Sequence, residues 1–419
     1  MALTDLMTPA GPRDDRRELA PGPLALAIAD INWFTTQNLF QGVGTPAVSV
    51  LALRCMDYLN GWRQGILPWS RSCREHPWGE HAVTRDLVLP SGWMKRFPRQ
   101  GMRPIARAIR QFWNRNERAA RHGLVLTYPH YLYLRERLEP DRTLYYNIDD
   151  YALYWPGHAG QVRALERQLV LRADATVCVA RSRADALRAA IPEAAAKIHH
   201  LPHGTPEAFL AEQPSERPAP APDDIAALPR PLFGYIGSIE RRVDWALLTR
   251  LSEAFPRGSV VLVGNIPEAT RRPEPWFDEW SRCRARPNVH AIGWRSQAEL
   301  PRYYRSFDVI LIPYLIDDPF NRACCPTKIA DGLGSGRPIV ATAIPECQLY
   351  SQLFDVAETP EAFLDAVRSI VLGGSDDGRA HLRHQHARSR ACRLMARRVV
   401  QILEGEWTSG SGFRVGGSL

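Results

Sequence analysis

The chain has 419 residues, 45% hydrophobic and 23% charged, a globular composition too long for one ordinary core and natural for two domains. No stretch reaches the roughly 20 apolar residues of a membrane helix, and the opening MALTDLMTPAGPRDDRRELA has no apolar centre, so neither a spanning segment nor a signal peptide is expected. The net charge is +8, and residues 94–123 hold nine Lys or Arg against one Glu, which leaves the rest of the chain close to neutral.

In chain order, residues 1–20 read as a disordered N-terminus and 21–211 as a first domain. There the apolar runs LALAIAD (24–30), DLVLP (86–90), LVLTYP (124–129), TLYYNID (143–149), TVCVA (176–180) and IHHLP (198–202) alternate with helical patterns. Within the basic stretch, Ile105, Ile109, Phe112 and Trp113 recur at helical spacing after Pro104, with Arg107, Arg110, Arg118 and Arg121 largely off that stripe. Such a helix suits an anionic membrane surface or acceptor, met by Arg103, Arg107, Arg110 and Trp113. Equally, the stripe packs on its own domain and the arginines are solvated. Nucleic acid is not expected, because stacking platforms and known binding motifs are missing.

Residues 212–230, EQPSERPAPAPDDIAALPR, form a proline-rich linker. A second domain follows over 231–405, with strand patterns PLFGYIG (231–237), SVVLVG (259–264), NVHAIG (288–293), DVILIPY (308–314) and PIVAT (338–342). Its last helix is placed to cross back to the first domain, and 406–419 read as a disordered tail. Strands alternating with helices imply an α/β protein of two Rossmann-like domains, their parallel sheets facing a cleft. The eight cysteines show no CxxC pair, and the adjacent Cys324–Cys325 suit neither an ordinary disulfide nor a zinc site, so reduced thiols are expected.

The densest chemistry lies in CCPTKIADGLGSGRPIVAT (324–342), between two strand patterns. Pro326 suits the start of a helix whose free N–H groups and positive dipole end favour a phosphate. Thr327 adds a hydroxyl and Lys328 a full charge for a diphosphate, while Asp331, one turn on, is placed to accept from ribose hydroxyls. An i,i+3 surface ion pair is the plainer reading of Lys328 and Asp331, but it leaves the three following glycines unexplained. Upstream, FGYIGSIERRVDW (233–245) ends a strand at Gly237, with Arg241 and Arg242 just beyond.

Together, DVILIPY, PFN and PTKIADGLGSGRPIVATAIPE resemble the donor-binding signature of GT-B glycosyltransferases of the group 1, family 4-like kind. FGYIGSIERRVDW resembles the first strand and turn of their nucleotide-binding domain, NVHAIGWRSQAELPRYY the strand that contacts the base, and LPHGTPEAF (201–209) the segment leaving the acceptor domain. The resemblance covers about 143–372. It implies that Lys328 binds the diphosphate and Asp331 the ribose, that Tyr314 and Gly293 line the base and ribose pocket, and that Arg241 or Arg242 adds charge against the leaving group. Two departures stand out: Asp331 replaces the usual Glu, and Ala323 occupies the position, eight residues earlier, where retaining relatives carry a second Glu. His203 also stands where Asn is commoner.

An inverting transfer needs a base across the cleft. YYNIDDYALYW (145–155) offers Asp149 and Asp150, with Asp150 ahead, and is similar to a segment of bacterial polysaccharide glucuronosyl-type transferases in which an aspartate is the base. Tyr151, Tyr154 and Trp155 suit stacking on sugars or packing in a core. The expected activity is transfer of a sugar, from a UDP-sugar by family frequency, to a hydroxyl of a glycan, lipid-linked or other acceptor. The expected place is the cytoplasm, peripheral on the inner membrane face, with no cofactor and no metal: Lys, Arg and a helix dipole meet the diphosphate charge. The alternatives are a non-catalytic glycosyltransferase-like partner, or a sugar-nucleotide epimerase or hydrolase on the same fold.

Overall fold

A computed structural model of the chain describes residues 23–94, 96–116, 119, 121–215, 217–267 and 274–406. The expected disordered ends, 1–20 and all but the first residue of 406–419, lie outside the described residues, as does Arg118.

Two parallel sheets organise the chain. The first takes β1 (Leu24–Ala29), β2 (Val48–Asp57), β3 (His76–Pro77), β4 (Ala82–Leu89), β5 (Arg121–Leu126), β6 (Arg142–Asn147), β7 (Ala175–Cys178) and β8 (Ile198–His200), in the order β3-β4-β2-β1-β5-β6-β7-β8. Only β3 runs antiparallel, against β4. β1 is central and reads LALAIA with every residue buried, because helices cover both faces and leave no polar side for alternation. The second sheet takes β9 (Leu232–Ile236), β10 (Ser259–Val263), β11 (Val289–Gly293), β12 (Val309–Ile312), β13 (Ile339–Thr342) and β14 (Asp355–Ala357), in the order β11-β10-β9-β12-β13-β14. In each sheet the strand order reverses beside a central strand, and the carboxyl ends there form a crevice for ligands.

The helix Pro98–Arg115 corrects one expectation. Its apolar stripe, Ile105, Ile109, Phe112 and Trp113, belongs to the core on one face of the first sheet. Trp113 is 4% exposed, stacks on His122 and donates its indole N–H to the Ala25 carbonyl in β1. It therefore cannot meet a membrane or an acceptor. Arg103, Arg107 and Arg110 stay exposed on the outer side of the same helix.

Helix Cys392–Glu404 lies against the first sheet, although it follows the second domain in sequence. Met395, Ala396, Val399, Ile402 and Leu403 join Leu24, Leu26, Val125 and Leu144 in one buried cluster. At its end Glu404 pairs with Arg121, both nearly buried. A second tie is Glu346, 1% exposed, which accepts from the backbone N–H of Arg181 at the start of a first-domain helix.

Candidate functional site between the two sheets

Between the carboxyl ends of the two sheets lies a cavity of about 600 Å³, lined from both domains. On the second-domain wall, β9 ends at Gly237, φ +151°, and a Cβ there would stand 2.4 Å from the Lys328 ammonium. Glycine at this turn thus lets the charge approach the strand end. Lys328 opens the helix Thr327–Ser335, which Pro326 precedes without a side-chain cap. Its ammonium is held by the Tyr314 hydroxyl at 2.7 Å and sits 5.0 Å from the centres of both the Tyr235 and Tyr314 rings. Lys328 is 7% exposed, and among the described residues no carboxylate within ion-pair distance neutralises it. An anion entering the cavity would meet this cation, the Thr327 hydroxyl and the helix N-terminus together.

Asp331 also faces the cavity. Burial pushes its carboxyl up to about 7, with Lys328 pulling the other way. No Lys328–Asp331 salt bridge forms, so the plain ion-pair reading of this spacing does not hold. Arg242 lines the cavity with its guanidinium held by Glu240 at 2.6 Å and 2.9 Å. Arg241 is placed elsewhere. It reaches Asp318 at 2.9 Å, outside the cavity lining, because Asp318 is itself fixed as the cap of the short helix Pro319–Ala323. Gly293 closes β11 at φ +83° and accepts from Gly264 N–H, while the next residues, Trp294 and Arg295, supply the lining.

The first-domain wall comes from separate segments. Asp149, not Asp150, lines the cavity. Asp150 caps the next helix through Ala152 N–H and lies 3.3 Å from Arg183, which also grips the buried Glu166 at 3.0 Å. The expectation that put Asp150 ahead therefore meets a carboxylate tied into a buried ion network. Asn147 spans that network: its amide donates to the Tyr145 hydroxyl, Glu166 and the Asp149 carbonyl, and so fixes the turn. Asp149 takes a 2.6 Å hydrogen bond from Tyr154. Burial raises its carboxyl above the ordinary range, opposed by Tyr154 and by the charges of Arg242 and Arg183.

Of the aromatic candidates, Tyr151 is core, 2% exposed and packed at a tilt against Tyr128, with ring centres 4.7 Å apart. Trp155 packs half-buried over His130. Tyr154 alone of the three lines the cavity, and its ring meets Phe320 of the other domain edge-on at 4.9 Å. Arg241 and Arg242 each lie 5.5 Å over that Phe320 ring.

Sequence reasoning missed the rest of this wall, Asn32, Trp33, Phe34 and Thr35, which follow the central strand β1. The available signal was Asp30, a charge closing an otherwise apolar run. His203 also lines the cavity, and burial holds its imidazole down at about 4, so it is neutral at pH 7.

Residues 230–372 match the model of the family described as glycosyl transferases group 1. The glycosyltransferase TuaH of Bacillus subtilis, named for teichuronic acid biosynthesis, is 23% identical over 245 residues, covering 57% of this chain and 59% of its own. The chain thus spans under two thirds of that relative. Among solved structures, HepE of Anabaena in complex with UDP superposes with a TM-score of 0.61 at 12% identity, over 92% of this chain and all of its own. A trehalose 6-phosphate synthase of Burkholderia multivorans gives 0.63 at 12% identity, over 94% of this chain and all of its own. The fold shared with these is GT-B.

Proposed function

We propose that this chain, which carries a group 1 glycosyltransferase domain over residues 230–372, moves a sugar from a nucleoside diphosphate to an acceptor hydroxyl. One juxtaposition supports the reading: an uncompensated lysine and a ribose-ready carboxylate face a raised, hydrogen-bonded carboxylate across one cavity. Lys328, the Thr327 hydroxyl and the helix N-terminus would take the diphosphate, with Arg242 adding charge as the leaving group departs. Asp331 would accept from the ribose hydroxyls, and Trp294, Arg295 and the β11 end would border the base. UDP is the proposed nucleotide, since HepE is described with UDP and a trehalose-phosphate synthase as UDP-forming.

Asp149 is the proposed base. It would take the acceptor proton as the acceptor oxygen attacks the anomeric carbon from the face opposite the diphosphate, inverting the configuration. Ala323 offers no carboxylate for the retaining arrangement. Tyr154 holds Asp149 in place, and its hydrogen bond favours the ionised carboxylate against the effect of burial. Metal is not part of this chemistry as proposed, the cations and the helix dipole meeting the diphosphate charge. Contact with an anionic membrane would use the outward arginines 103, 107 and 110.

The test is calorimetric titration with UDP, GDP, ADP and dTDP, followed by product analysis with the corresponding sugar nucleotides. Selective UDP binding that Lys328→Ala removes, and a product of inverted configuration, are expected. An absence of nucleotide binding would overturn the donor assignment. Epimerised sugar nucleotide without acceptor would establish the isomerase alternative instead.

A further inference from the structure

Arg241 and the segment PFN (319–321) lie outside the cavity lining, yet the fold braces them together. Asp318 accepts from the backbone N–H groups of Phe320 at 2.9 Å and Asn321 at 3.2 Å, and from the Arg241 guanidinium at 2.9 Å. Asn321 is fully buried, and its amide donates to the carbonyls of Arg242 and Leu315, both at 2.9 Å. A helix of five residues has little stability of its own, so these bonds to the loop after β9 fix where its side chains stand. Phe320 joins none of the buried apolar clusters of the described residues. It is half-buried, with the guanidiniums of Arg241 and Arg242 5.5 Å from its ring centre and the Tyr154 ring of the first domain edge-on at 4.9 Å. Core packing does not explain a phenyl ring in that place.

Across the contact, Tyr154 ends a four-residue helix, Tyr151–Tyr154, and is 39% exposed. Its hydroxyl donates to Asp149 at 2.6 Å. Within its own domain its ring meets Tyr151 at a tilt, with centres 6.2 Å apart, so its closer aromatic neighbour belongs to the second domain. Asp150 differs: its partners, Arg183 and the Ala152 N–H, both belong to the first domain. Without the Phe320 ring, Tyr154 gains rotamers that break its bond to Asp149. That bond is the foremost influence opposing the rise that burial imposes on the Asp149 carboxyl, ahead of the charges of Arg242 and Arg183. The titration of Asp149 therefore reports where Tyr154 stands.

We propose that Phe320 is a positioning residue: reaching from the donor-binding domain, its ring seats Tyr154 on Asp149, so that the base is held in place by the wall that binds the nucleotide. Phe320 does not line the cavity and acts through Tyr154. The proposal rests on the transferase reading above, with Asp149 as base, and adds to it a link between the two domains. Arg241 then has a place as well, since through Asp318 it steadies the turn that carries the ring.

Carbon-13 NMR of the full chain, labelled at the aspartate carboxyls, tests it without need of an acceptor, the Asp149 signal being assigned by its loss in Asp149→Asn. Phe320→Ala is expected to move the Asp149 midpoint to higher pH, in the direction that Tyr154→Phe moves it, while Phe320→Tyr, which keeps the ring, leaves it in place. In the Tyr154→Phe background Phe320→Ala is expected to move it no further. UDP affinity by calorimetry should stay within about twofold of wild type, and UDP release from UDP-glucose with octyl glucoside should fall on the order of tenfold in kcat. An unmoved midpoint in Phe320→Ala, or shifts that add in the double variant, would overturn the proposal. A midpoint moved to lower pH would also overturn it, the ring then excluding water rather than seating Tyr154, and so would UDP binding weakened about tenfold, which would assign the ring to Arg242. The underlying reading fails differently: Asp149→Asn with undiminished UDP release would defeat the base, and a wild-type chain that binds no UDP would defeat the transferase. Unfolding of Phe320→Ala, seen by circular dichroism, passes the decision to Phe320→Leu, expected to move the midpoint the same way by less; an unmoved midpoint there is equally fatal.

Discussion

The two walls of the cavity differ in charge and in how their side chains are held. On the second-domain wall a single helix start supplies Lys328 and Asp331, and the lysine stands between two tyrosine rings without a counter-ion. On the first-domain wall, residues from two separated loops are fixed by a buried scaffold of Asp30, Asn147, Glu166 and Arg183 and expose no cation. One wall is an unneutralised charge placed for an anion; the other is a set of polar and aromatic side chains held in place by their neighbours. The difference teaches that the second-domain wall relies on unpaired charge, whereas the first-domain wall relies on fixed geometry around Asp149.

Breaking the charged wall is expected to have the largest effect. Lys328→Ala should lower kcat about a thousandfold in a UDP-release assay, whereas Tyr314→Phe, which removes only the hydroxyl holding the ammonium, should cost on the order of tenfold. On the opposite wall, Asp149→Asn should lower kcat by roughly a hundredfold without changing UDP affinity. Asp150→Asn should lower thermal stability more than rate; equal rate losses for the two would remove the distinction between them.

Tyr154→Phe sharpens the comparison through pH. Burial raises the Asp149 carboxyl, and the Tyr154 hydrogen bond opposes that rise. Without the phenol the carboxyl holds its proton to higher pH, so the acid limb of kcat/KM should move to higher pH. An unmoved limb would mean that another group sets it.

The last effect concerns stability. The Asp331 carboxyl is raised to about 7 in the fold against 3.8 unfolded. Protonation therefore favours the folded state; that contribution is complete below 3.8 and is lost as pH rises towards 7. Asp331→Asn should remove this fall, gaining up to about 4 kcal/mol on wild type between pH 4 and pH 8 in denaturant titrations. A constant difference across that range would show that the carboxyl is not shifted.

The α/β architecture was legible because parallel strands buried on both faces read as continuous apolar runs. All six runs named in the first half and all five in the second overlap observed strands. The second-domain wall was legible because its residues are neighbours in sequence, at one helix start. Asn32 and Trp33 were not, since the loop is held by Asp30, which donates its N–H to Thr127 and accepts from Tyr131, and by the Trp33 indole bond to Tyr128, all roughly a hundred residues away. Periodicity showed that the helix Pro98–Arg115 has an apolar face but not what covers it, and Trp113 lies under the sheet rather than at a membrane. For Asp149 and Asp150 the sequence put Asp150 ahead; the capping bond and Arg183, both beyond local pattern, turn Asp150 away and leave Asp149 on the cavity.

The helix Cys392–Glu404 carries a consequence for biosynthesis. Its apolar side completes the cluster around Leu24, Leu26, Val125 and Leu144, strands made first on the ribosome. Domains ordinarily fold as units while the chain emerges, the N-terminal one first. Here the part of that face which Leu39, Phe40 and Val162 do not cover stays open through synthesis of the whole second domain, so the first domain reaches its final form only once the helix Cys392–Glu404 has been made.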